Sequence, residues 1–126
     1  MTLLGKTTRR PDISFFRNGR IDITARLAKE INLQPGDVID IAVEGDEYLL
    51  HVRHKAQEVI GRHEAQCFPT NKWPKRTHNL RAHSKRLAEA VLDICGSDNA
   101  RLNAGQPCQH PALGVAIPII IRKMST

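Results

Sequence analysis

No apolar run in the chain is long enough to cross a membrane as a helix: the longest, residues 115–121, has seven residues against the ~20 that a bilayer requires. No membrane partner is expected. Cysteine is sparse and odd in number, Cys67, Cys95 and Cys108, without the spacing of a disulfide framework. Because the first residues also lack an apolar stretch of signal-peptide length, the expectation is a cytoplasmic protein with free thiols. Glycine-rich phosphate loops, a nucleophile elbow and paired catalytic carboxylates are all missing, so no enzyme is expected. His83 and Ser84 are neighbours, but adjacent helical residues point apart and make no nucleophile–base pair. Asp22, Asp37 and Asp40 could meet around a barrel, although turn and strand-edge duties account for them. His63 with Cys67 and Cys108 with His110 offer four ligating groups, yet neither spacing is the short Cys-x-x-Cys of a zinc site. No metal and no cofactor are expected, and the chain reads as free of internal repeats and low-complexity tracts.

What is present is an ordinary globular composition in 126 residues, 40% hydrophobic and 25% charged, enough for one domain with one core. The formal charge of +6 is unevenly spread. Residues 55–86 hold eight Lys and Arg against only Glu58 and Glu64, which accounts for the whole excess. A patch of this kind attracts polyanions and makes their binding salt-dependent, so nucleic acid is the first partner to consider.

Residues 1–11 lack periodicity and read as a flexible arm. Ile13 and Phe15, then Ile21 and Ile23, alternate with polar neighbours on either side of Asn18-Gly19, a pair that suits a two-residue type I′ hairpin turn. Thr24 is placed to cap a helix over residues 25–32, with Leu27, Ala28 and Ile31 on one face. Pro35-Gly36 supplies the two corners of a type II turn. Ile39, Ile41 and Val43 form the apolar face of a strand, Glu44 to Glu47 a turn, and Tyr48, Leu50 and Val52 the returning strand. Residues 55–79 lose this regularity and read as a basic surface excursion. Leu80, Leu87, Val91 and Ile94 recur at helical spacing, which predicts a helix over residues 79–95 stopped by Gly96. A short strand near residues 101–103 and the run 115–121 follow. Pro118 lacks the N–H of a ladder, so that run is expected to be an edge strand or to carry a bulge.

Gly19-Arg20-Ile21-Asp22-Ile23, a short helix, Leu33, Pro35-Gly36-Asp37, an alternating strand, an acidic turn and a further strand together resemble the swapped-hairpin unit of AbrB-type regulators and MazE-type antitoxins. The likeness spans about residues 13–53. It implies a barrel built from interlocked hairpins of two chains, an obligate homodimer, and DNA contacts from basic residues near the first strand and short helix. Those positions here are Arg20, Arg26 and Lys29. The family's usual proline and lysine after the second isoleucine are Thr24 and Ala25, and a common helix arginine is Ala28.

The remaining residues resemble no family. Lys72-Trp73-Pro74-Lys75-Arg76 sets an indole among cations, and Arg81, Lys85 and Arg86 continue the charge. Cations of this kind neutralise phosphates while an indole stacks on a base. The fold expected is therefore α+β, mainly β: a swapped-hairpin barrel over residues 12–54, with a longer C-terminal helix and strands from residues 80–126 on the same core. The function expected is non-enzymatic DNA binding, as a transcriptional regulator or antitoxin-like protein. The alternative is a protein-interaction module whose basic segment meets a protein partner.

Overall fold

The alternating stretches are strands in the computed structural model, which describes residues 11–54, 64–70 and 79–121. The arm over residues 1–10, together with Lys72, Trp73, Lys75 and Arg76, lies outside the described residues. In chain order the elements are β1 (Ile13–Phe16), β2 (Arg20–Ile23), α1 (Ala25–Glu30), β3 (Val38–Glu44), β4 (Glu47–Arg53), β5 (Phe68–Pro69), β6 (Leu80–His83), α2 (Lys85–Cys95), β7 (Asn99–Ala104), β8 (Cys108–His110) and β9 (Gly114–Ile120). The fold is mainly β. One antiparallel sheet runs in the order β3, β4, β9, β7, β1, β2, β6, β5, with β8 against β9.

The sheet curls until its ends meet. Ile39 N donates to Ala65 O (3.1 Å), Cys67 N to Asp37 O (2.8 Å) and Gly36 N to Cys67 O (2.7 Å), so the chain just before β5 is stitched to the start of β3. Ala65 N donates in turn to His83 O at the end of β6 (3.0 Å). Ala65, Gln66 and Cys67 are buried, which corrects the reading of residues 55–79 as a surface excursion throughout. The enclosed core contains Ile13, Phe15, Ile21 and Ile23, which alternate along β1 and β2 as a period of two requires, with Ile39, Leu50 and Ile117 from other strands, Leu27 from α1 and Leu92 from α2.

Local chemistry sets the connections. Asp37 N donates to Gln34 O (3.0 Å) and Gly36 has φ +93°, the expected type II turn. The first hairpin differs from the expected two-residue turn. Gly19 N donates to Phe16 O (2.9 Å), and of the turn residues only Gly19 has positive φ, at +101°, the pattern of a three-residue loop ending in a glycine bulge. A Cβ at position 19 would come within 2.8 Å of His83 Cε1 and 3.0 Å of the Lys85 backbone. Glycine is therefore fixed by close approach as well as by φ. Val43 departs from the expected apolar face and is 66% exposed, because the tip of the β3–β4 hairpin runs past the core.

The helix expected over residues 79–95 begins at Lys85. Leu80 and Ala82 are buried and Arg81 and His83 exposed, a strand alternation fixed by pairing with β2, with Ile21 opposite Ala82 and Ile23 opposite Leu80. Leu80 fits the helical stripe only because a position seven residues before Leu87 also fits a strand's inward face. Gly96 ends α2 in the left-handed conformation as expected. Nor is β9 an edge strand. It pairs with β4 on one side and with β8 and then β7 on the other. Pro118 O accepts from Gly105 N (2.7 Å), so the face without an N–H points at the gap between β8 and β7, where the ladder asks for no donor.

The topology repeats although the sequence reads as repeat-free. Exchange of β1–β2–α1–β3–β4 for β5–β6–α2–β7–β9 leaves the strand order unchanged once the ends of the sheet are joined. β2 lies against its counterpart β6, and β4 against its counterpart β9. The helix starts match as well: Thr24 and Ser84 each accept from the backbone N–H three residues on, Leu27 and Leu87, and each stands two residues before an Arg-Leu-Ala triplet. Strands β7, β6 and β9 of the second half thus pair with β1, β2 and β4 of the first. Both edges of β1, β2 and β4 are occupied within the chain.

Candidate nucleic-acid interface

With Ile21 and Ile23 turned inward, β2 presents Arg20 and Asp22 outward, and its neighbours follow the same rule. Ser14 and Phe16 come from β1, Arg81 and His83 from β6, and Asn99 and Arg101 from β7. Cross-strand partners share a face, so the register lines these residues up. One row reads Arg101, Ser14, Asp22, Arg81, Phe68. The neighbouring positions carry Arg20 opposite His83 and Asn99 opposite Phe16.

Asp22 ties two cations together. Arg81 Nε donates to Asp22 Oδ1 (2.7 Å), while Arg20 Nε lies 3.4 Å from Asp22 Oδ2 in an ion pair that is not a formed hydrogen bond. The Arg20 guanidinium lies over the Phe16 ring, 4.1 Å from its centre, a cation–π contact that holds it flat on the sheet. Phe68 is 46% exposed in a two-residue strand. Three arginines and one carboxylate on this face leave it positive.

The other expected contacts are dispersed. Arg26 pairs with Glu30 (3.7 Å) and Lys29 is exposed on α1. Lys85 pairs loosely with Glu89 (3.9 Å), and Arg86 approaches Glu64 (3.6 Å), lining a hollow with Asp40, Arg53 and Ala90 between β3 and α2. Two cations in the first turn of α2 sit at the positive end of its dipole, and Glu64 and Glu89 offset them. Arg81 is a strand residue and does not continue a helical run of charge with Lys85 and Arg86.

Arg101, Phe68 and His83 were not among the expected contacts. Arg101 lies outside the basic window of residues 55–86, and only the Ser14–Arg101 register brings it into the cross-strand row that continues through Asp22 to Arg81. The alternation of Ala100, Leu102 and Ala104 with Asn99, Arg101 and Asn103 was the available signal.

The three aspartates do not share a site. Asp22 serves the arginines. Buried Asp37 accepts from Gln34 N (2.9 Å) and meets His54 Nδ1 (2.8 Å). Asp40 accepts from Ile41 N (2.8 Å) and lines the hollow. Among the described residues no three of His, Cys, Asp and Glu gather closely enough to hold a metal ion. Cys67 is buried, with its thiol pushed up to about 12 by burial and by the nearby Asp37 charge. His110 accepts from Ala112 N and Leu113 N at Nδ1 and so donates from Nε2 to Glu44 (2.8 Å). No helix of the described residues is long and apolar enough to cross a membrane. Set against family models, curated proteins and solved structures, the chain matches none of them.

Proposed function

We propose that the chain is a cytoplasmic, non-enzymatic DNA-binding protein of transcriptional-regulator or antitoxin-like type, built on an AbrB/MazE-like plan whose two halves are fused in one chain. The observation that carries this reading is the outer face on which Arg20 and Arg81 flank Asp22 and Arg101 lies in the same cross-strand row, beyond Ser14. Cations held on rigid strands meet phosphates without first having to be ordered. Asp22, Asp37, His54 and His110 each have a side-chain partner, which favours binding over catalysis. The functional unit is one chain, since β6, β7 and β9 supply the pairing that a second copy would otherwise bring; a homodimer would have to use another surface.

The test is binding to random-sequence duplex DNA over a salt series. Each phosphate contact contributes about −0.9 to the log–log slope, so replacing Arg20, Arg81 and Arg101 by alanine makes the slope shallower by about 2 to 3. Absence of binding at low salt refutes the reading.

A further inference from the structure

We propose that the outer face of β7, β1, β2, β6 and β5 takes single-stranded DNA, with Arg20, Arg81 and Arg101 along the phosphates and Phe68 as a stacking platform for an unpaired base. This rests on the DNA-binding reading above and narrows its ligand.

Shape argues against base readout in a duplex. These five strands are about half of a sheet that closes on itself, so their outer face is convex and belongs to a body far broader than the one helix or two-stranded ribbon that a major groove about 12 Å wide admits. A flexible strand with its bases turned out has no such limit and can follow the curve of the sheet.

The aromatics supply the second argument. Phe68 stands opposite Arg81 in the register and is 46% exposed. On a duplex surface such a ring meets only phosphates and sugar, and its apolar faces gain nothing. An unpaired base stacks on it while the neighbouring phosphate meets Arg81, the pairing of platform and cation that single-strand binders use. Arg20 flattened on Phe16 offers a second planar surface of the same kind.

The experiment compares fluorescently labelled oligodeoxythymidine, a duplex of equal length and oligouridine, each bound by the full chain at one salt concentration. The expected result is that oligodeoxythymidine binds most tightly. Phe68→Ala then weakens it about tenfold, the size of one lost stack, Phe68→Tyr restores it, and neither change alters the melting temperature. Duplex bound as tightly as the single strand, or Phe68→Ala without effect, overturns the single-strand inference and leaves the DNA reading standing. Tighter binding of oligouridine overturns the choice of DNA. No binding to any of the three overturns both readings.

Discussion

Asp22 and Arg81 oppose one another in the β2–β6 register, with Arg81 Nε donating to Asp22 Oδ1 across 2.7 Å. β2 and β6 are counterparts in the two halves, so this ion pair joins one half of the chain to the other. The strand edges that a second copy would have to pair with are already taken within the chain, β2 by β6 and β4 by β9. The expected outcome of sedimentation equilibrium at micromolar concentration is the mass of one chain. A stable dimer at that concentration overturns the single-chain unit.

Neutralising that carboxylate should strengthen DNA binding. Asp22→Asn removes the one negative charge among the three arginines, so affinity at low salt is expected to rise several-fold and the salt slope to steepen by up to ~1. Because the side chains are 49% and 32% exposed, the loss of stability is expected to stay within about 1 kcal/mol. Weaker binding by the variant would mean that Asp22 acts chiefly by positioning Arg81.

Helix capping gives a matched pair of tests. Thr24→Ala removes a cap and costs about 1 kcal/mol by denaturant titration. Ser84→Ala is expected to cost more, because the Ser84 hydroxyl is buried and also donates to Glu64 Oε2 (2.9 Å), leaving a carboxylate oxygen without its donor. Equal losses would show that the Glu64 contact adds nothing.

The thiols should separate by burial. Cys108 is exposed, while Cys67 and Cys95 are buried with their thiols pushed up by desolvation. Only a thiolate attacks, so a disulfide reagent at neutral pH is expected to titrate one thiol in the native protein and all three in denaturant.

Burial holds the His51 imidazole below its ordinary value, with Arg53 and His110 acting in the same direction and Asp40 against them. The unfolded chain therefore takes up a proton first as pH falls. Stability contributed by neutral His51 is present above the ordinary value of ~6.5 and is lost as pH drops from there toward the lowered folded value. His51→Gln is expected to flatten the stability–pH curve across that window, measured by denaturant midpoints from pH 7.5 to 5.

Much of the first half was legible because its signals are local. Pro35-Gly36, the Thr24 cap and the alternation of Ile21 and Ile23 each act within a few residues. The second half was harder for a physical reason: Leu80 satisfies strand and helix spacing alike, and only its pairing with Ile23 decides between them. The two-fold plan was hidden because the halves share a cap and an Arg-Leu-Ala triplet but little else. The interface was legible only in part. Arg20 and Arg81 were expected from sequence, whereas Arg101 and Phe68 join them on the candidate face through register, which composition does not record.

Fusing the two halves changes what the fold can recognise. A true two-fold dimer looks the same when turned end for end, so it accepts a strand in either direction. Here the cap and triplet repeat, but α1 has six residues and α2 eleven, and Asp22 on β2 faces Arg81 on β6. The outer face consequently has a direction of its own. A strand laid across it from Arg101 toward Phe68 would meet a different series of groups from one laid the other way, so single-stranded DNA bound there as proposed is expected to show one preferred 5′-to-3′ polarity.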